Sequence, residues 1–175
     1  MESGGFPSGC GTLLFPQLVR RQPHQLRRSA GRTVQNRRLG HNVLIMLETG
    51  IKGCQEELAT EEKMARNVGS GLVKVYATAM MIALMEKAAV LSVQPYLEEG
   101  QGTVGTLVNV SHCAATPQGM KVRAESELIE IDRRRLVFKV AAYDECGLIG
   151  EGLHERFIID NERFQSKTDA KKANA

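Results

Sequence analysis

The stretch ATAMMIALMEKAAVLSVQPYL, residues 77–97, decides how this chain folds. It reads as one long apolar helix with a carboxylate, Glu86, near its middle. The positions that share a helical face with Glu86, three and four residues away, are Ile82, Ala83, Ala89 and Val90. No lysine or arginine on that face can pair with it. An ionised carboxylate left among such neighbours is costly, so it either changes its protonation or finds partners elsewhere in the fold. Thr78 suits the helix N-cap, because its hydroxyl can accept a bond from a free N–H of the first turn, and Pro95 suits the end.

Beyond the helix the period changes from 3.6 to 2. GTLVNVSHCAAT places Thr106, Val108, Val110 and His112 on one face of a strand. Further on, Val122, Ala124, Ser126 and Leu128 alternate with charged residues, as in a strand that is wet on one side. Leu136, Phe138, Val140 and Ala142 point inward on the next strand, and LIGEGLHERFIID completes the meander. Turn chemistry separates these runs at 98–102, at 117–119 and at 145–147. With a short strand over residues 51–58 ahead of the helix, the pattern is α+β: a curved antiparallel sheet that must cover the apolar helix on every side.

Charge divides the 175 residues unevenly. Residues 1–45 hold seven arginines against the single acid Glu2, whereas residues 46–175 hold 16 basic against 19 acidic side chains. A mildly acidic body argues against nucleic acid as a partner, since a phosphate-binding face needs clustered Lys and Arg on folded elements. The one basic cluster in the body, Arg133–Arg134–Arg135, reads as a solvated turn or as a contact for a phosphorylated ligand. Residues 1–45 lack sustained apolar periodicity and are expected to be a disordered extension or the product of an upstream start codon, although their Arg-rich, acid-poor make-up also resembles a transit peptide. The domain is expected over 46–166, followed by a polar, frayed tail over 167–175. Cys10, Cys54, Cys113 and Cys146 show no metal-like spacing with His24, His41, His112 or His154, so free thiols and a reducing, cytoplasmic setting are expected. The uncharged runs at 75–85 and 88–97 fall short of the roughly 18–20 residues that a membrane span needs.

The chemistry-bearing residues come from facing elements. Glu86 sits on the helix and His112 on the strand face turned toward it, with the Thr78 hydroxyl at the helix start. Each alone is ambiguous: a buried acid can be a structural ion pair, an inward histidine a satisfied core group, and Thr78 a simple cap. Together they are the parts that acyl transfer requires, namely a base or nucleophile, a proton handler, and helix N–H groups for an oxyanion. His154 alternates with Gly150 and Gly152, where missing side chains let a ligand or backbone approach, and ranks behind them.

The segments YATAMMIALMEKA, PYLEEGQGTVGT, SHCAATPQG and GLHERFII resemble the fluoroacetyl-CoA thioesterase group of hot-dog-fold proteins, a likeness that covers roughly residues 47–166. The resemblance implies a long helix wrapped by an antiparallel sheet, a homodimer with active sites at the subunit interface, and hydrolysis of an acyl-CoA thioester without metal or bound cofactor. It places the catalytic Thr, Glu and His on Thr78, Glu86 and His112, and the Gly and Arg near the acyl group on Gly105 and Arg156. Two departures stand out: the family's gating phenylalanine falls on Leu72, within GSGLVKV, and Lys87 replaces an aromatic residue. They leave thioester hydrolysis intact and widen the expected substrate to a short or medium acyl-CoA. The alternative from another class is a non-catalytic acyl-CoA-binding module using the same pocket. Hydratase chemistry ranks last, because that group places an Asp five residues before a His, where this chain has Leu107 and Ile149.

Overall fold

A computed structural model of the chain describes residues 36–39 and 43–174. In chain order the elements are β1 (Asn36–Leu39), β2 (Val43–Met46), β3 (Lys52–Leu58), α1 (Ala65–Val68), α2 (Thr78–Val93), β4 (Gln101–His112), β5 (Lys121–Asp132), β6 (Arg135–Asp144), β7 (Gly147–Asp160) and α3 (Asn161–Asp169). Five strands form one antiparallel sheet in the order β3-β5-β6-β7-β4, and β1 pairs with β2 in a separate two-stranded sheet. That small sheet occupies the end of the segment expected to be an unstructured extension; the rest of that expectation lies outside the described residues.

The core forms where the helix meets the sheet. Met81, Leu84, Met85, Ala88, Ala89 and Val93 of α2 are buried against the inward rows of β5 and β6, Val122 to Leu128 and Leu136 to Ala142. Each large apolar side chain taken out of water there contributes about 1.5–3 kcal/mol. Small residues set the separation of the layers: a Cβ on Gly53 of β3 would collide with the Ala88 carbonyl and the Ser92 and Ser126 side chains. This is the hot-dog arrangement, a long helix held in a curved antiparallel sheet.

Several local expectations are corrected. Ala77, not Thr78, is the N-cap, with no side-chain cap bond; Thr78 is the first helical residue, and its hydroxyl is engaged elsewhere. The helix leaves its α form at Val93, just before Pro95, and finishes in a short 3-10 turn. The sheet does not cover α2 on every side, because five strands curve around only part of the cylinder: Ala79, Ala83, Lys87 and Leu91, at four-residue intervals, stay exposed. On β4 the simple alternation is broken by a register shift between Gly105 and Leu107. Thr106 falls in that irregularity, whereas Val108 keeps the face of Val110 and His112, opposite buried His154, and is exposed because β4 is the edge of the sheet; Val110 packs against the core. Gly150 and Gly152 admit the close backbone approach that was expected, of the Ser111 carbonyl and the Asn109 carbonyl respectively, and Gly150 also makes room for the Met81 thioether. The tail expected to fray over 167–175 begins inside a helix, α3, whose start the Asp160 carboxylate caps by accepting a bond from the Arg163 N–H at 2.8 Å. Arg133 adopts a left-handed φ of 56° in the turn from β5 to β6, and Arg135 is paired with Glu130 and Glu155, so this cluster is the turn it was read as.

The approach to α2 is stapled. The Tyr76 hydroxyl, wholly buried, donates to Glu57 Oε1 on β3 at 2.6 Å, and Lys63 Nζ lies 2.9 Å from Glu57 Oε2. Burial and the Glu57 carboxylate push the phenol well above its usual range, so it remains the donor. The Tyr76 N–H also reaches the Thr116 carbonyl, and the Ala77 N–H the Lys63 carbonyl. Tyr76→Phe is expected to destabilise the protein by about 1.5 kcal/mol, as for loss of a hydrogen bond to a charged group. Urea denaturation measures this; an unchanged midpoint would show that the phenol contributes nothing to the staple.

Candidate active site

Two clusters of functional side chains stand along α2. The first is at its start, where Thr78 Oγ1 and His112 Nδ1 lie 2.8 Å apart, joining the first helical residue to the last residue of β4. Because Thr78 sits at the first turn, helix N–H groups without intrahelical partners lie beside its hydroxyl, with the positive end of the helix dipole. The pair lines a cavity of about 290 Å³ together with Gly71, Val73, Val75 and Tyr76. Burial holds the His112 imidazole below its usual range, against a weaker opposing pull from the Ala114 backbone. Its Nε2 is buried without a hydrogen-bond partner among the described residues. Such a ring is neutral near pH 7 and has one nitrogen unused.

The second cluster surrounds Glu86 and answers the problem posed by its apolar helix. Arg156 Nη1 of β7 lies 3.5 Å from Glu86 Oε1, and His154 Nε2 lies 3.6 Å from the same oxygen. Arg156 is itself anchored on β4, its Nε donating to Thr103 Oγ1 and its Nη2 to the Thr103 carbonyl, each at 2.8 Å. Gly105 faces the carboxylate so closely that a Cβ there would stand 2.6 Å from Oε1. The side chain of Glu86 stays 38% exposed, open to a reactant while its charge is met by a guanidinium. Burial lowers Arg156 from its usual value and the Glu86 carboxylate raises it back, and a guanidinium keeps its charge throughout.

Within one chain the three residues expected to act together do not converge. Thr78 and His112 meet, but Glu86 lies eight residues along the helix, roughly 12 Å at 1.5 Å per residue. Gly105 and Arg156, expected near the acyl group, gather at Glu86. Leu72 is not in the cavity wall: it is 97% exposed, while its neighbours Gly71 and Val73 line the cavity. Sequence reasoning missed Thr103 as the anchor of Arg156 and placed His154 behind His112, although His154 is the histidine beside the acid. The signal was present in GLHERF, where two-residue spacing puts His154 and Arg156 on one strand face. Among the described residues no group of three or more His, Cys, Asp or Glu could hold a metal ion, and no helix is long and apolar enough to cross a membrane.

Comparison with known proteins agrees with this geometry. The model of the fluoroacetyl-CoA-specific thioesterase family matches residues 59–162. The fluoroacetyl-CoA thioesterase of Streptantibioticus cattleyicolor is 45% identical over 98 residues, which span 56% of this chain and 70% of that protein. A solved structure of a fluoroacetyl-CoA thioesterase superimposes with a TM-score of 0.68 at 36% identity, covering 71% of this chain and 97% of the other. A thioesterase superfamily member from Thermus thermophilus gives 0.67 at 32% identity, covering 73% and 94%. With a patterned core, an acid on the central helix and a matched family model spanning both clusters, this chain belongs to the fluoroacetyl-CoA-specific thioesterase family.

Proposed function

We propose that this thioester hydrolase cleaves a short or medium acyl-CoA to free acid and CoA, at a site completed by two copies of the chain. One observation carries the reading: both clusters abut the same edge strand, one near its middle and one at its last residue. Gly105, against Glu86, and His112, against Thr78, are both on β4, which ends the five-stranded sheet with Leu107 46% and Val108 41% exposed. An exposed apolar edge strand is a template for pairing. If β4 pairs antiparallel with itself across a two-fold axis between Val108 and Asn109, His112 stands opposite Gly105 of the partner subunit. Each Thr78–His112 pair then faces a Glu86 from the other copy. The exposed Ala79, Ala83 and Leu91 on α2 support the same association, since small and apolar residues let elements pack closely.

In such a site Glu86 adds to the thioester carbon, directly or through a water whose proton it takes. The carbonyl oxygen, becoming an oxyanion, is received by the N–H groups of the first turn, while the Thr78 hydroxyl donates to His112 Nδ1 and so keeps the ring proton on Nε2. Collapse of the adduct breaks the C–S bond, and His112 steadies the departing thiolate with its Nε2–H; on the direct route water then cleaves the acyl–Glu86 anhydride, releasing the free acid and restoring the carboxylate. The catalytic domain spans residues 46–166, and the exposed free thiols of Cys54 and Cys113 support residence in the reducing cytoplasm.

Glu86→Gln should lower kcat by about 10²–10⁴-fold with folding intact, read by free-thiol release from acetyl- through decanoyl-CoA. Full turnover by that variant on every substrate that the wild type cleaves would overturn the assignment. A second expectation concerns the shared site: Glu86→Gln and His112→Gln chains, each inactive alone, should regain about a quarter of wild-type activity when co-expressed, because random pairing leaves one intact site in half of the dimers. No recovery despite mixed dimers in native mass spectrometry would place all three groups in one subunit. Acid should also loosen the fold. Burial lowers both His112 and His154, so below about pH 6.5 the unfolded chain binds protons that the folded chain refuses, and stability falls as pH falls. The melting temperature should drop between pH 7.5 and 5.5, and less steeply in His112→Gln; equal slopes would remove His112 as a source.

A further inference from the structure

His154 is 1% exposed and has no part in the bond-breaking steps above, yet its two ring nitrogens are both committed. Nδ1 lies 2.9 Å from the Leu107 carbonyl, at the register shift of β4. A carbonyl only accepts, so the proton of the neutral ring is on Nδ1 and the lone pair on Nε2. Arg156 Nη1, 3.0 Å from Nε2, donates into that lone pair. With Nε and Nη2 already held by Thr103, the guanidinium is fixed on three sides. What it offers Glu86 is a contact of 3.5 Å, beyond the roughly 2.7–3.2 Å of an N–H···O bond and unlike the close bidentate pair that guanidinium and carboxylate form when unrestrained.

We infer that His154 is a positioning residue: as a neutral acceptor it holds the Arg156 guanidinium beside Glu86 but out of hydrogen-bonding geometry, so the carboxylate keeps both the positive charge and free lone pairs. The inference rests on the reading of Glu86 as the catalytic acid. A carboxylate gripped by a bidentate arginine is a poorer nucleophile and base, because the lone pairs it needs for carbon or for a water proton are occupied. Gly105 belongs to the same device, since a Cβ there would stand 3.2 Å from His154 Cε1 and 2.6 Å from Glu86 Oε1. The charged groups that act on the imidazole are Glu86 from α2 and Arg156 and Glu155 from β7, while β6 contributes only the Phe138 ring, 6.4 Å away between centroids. Burial, with Arg156 assisting, keeps the ring below its usual range and therefore in the accepting form.

The test compares His154→Phe, which fills the space without an acceptor, with His154→Gln, whose amide oxygen can accept from Arg156 while its NH₂ serves the Leu107 carbonyl. Freed from His154, the guanidinium closes on Glu86. His154→Phe should therefore lose about 100-fold in kcat with KM little changed, and the acid limb of its kcat profile should move to lower pH. His154→Gln should restore most of kcat and return the limb. Wild-type kcat in His154→Phe, or equal losses in both variants with an unmoved limb, would overturn the inference. Should His154→Phe fail to fold, His154→Leu removes the acceptor with a smaller side chain and must produce the same displaced limb; an unmoved limb there counts equally against the inference. Glu86→Gln assayed in parallel separates the two claims. If that variant stays active, the catalytic reading fails; if it is dead while the His154 variants behave as wild type, only the positioning role fails.

Discussion

The ion pair between Glu86 and Arg156 is the interaction on which the organisation of this protein turns. A carboxylate on an otherwise apolar helix has no local partner, and isolating it from water would cost several kcal/mol unless charge and hydrogen bonds are supplied from elsewhere. The sheet supplies them from β7, through Arg156 and His154, and β4 makes room with Gly105. Those strands must therefore adjoin, and they do, with Val104 opposite Phe157 and Gly105 opposite Arg156 in register. The bulge that follows Gly105 then sets the Leu107 carbonyl against His154. Fold and site are thus specified by the same contacts.

Coverage of α2 is the second constraint. Its buried face is packed against β3, β5 and β6, while small residues at Ala79 and Ala83 line the open stripe. A stripe of this kind beside an unpaired apolar edge strand is unusual for a chain that acts alone, and the proposed pairing would use both. The proposed pairing would also bridge the distance between Thr78 and Glu86, two helical turns that one copy leaves apart.

Much was legible in the sequence, and the reason differs from element to element. Alternation made β5 and β6 readable to the residue, because one face is buried and the other wet, and every inward position expected from Val122 to Leu128 and from Leu136 to Ala142 is buried. The long apolar run with Pro95 near its end made α2 readable. The bulge on β4 was not, since a one-residue irregularity leaves no periodic trace, and so Thr106 was assigned to the face that Val108, Val110 and His112 do share. α3 was missed because its polar composition resembles a tail, and only the Asp160 cap distinguishes it.

By itself, the sequence determined that an apolar helix bearing one acid would lie in a curved antiparallel sheet, with a hydroxyl and an imidazole at hand, because periodicity and composition are local properties of the chain. Only the tertiary structure decided which groups meet. Thr78 finds His112, and Glu86 finds Arg156 and His154, through strand register and a bulge that bring together residues up to 70 positions apart. Such pairings depend on how strands adjoin in space, which no spacing along the chain records.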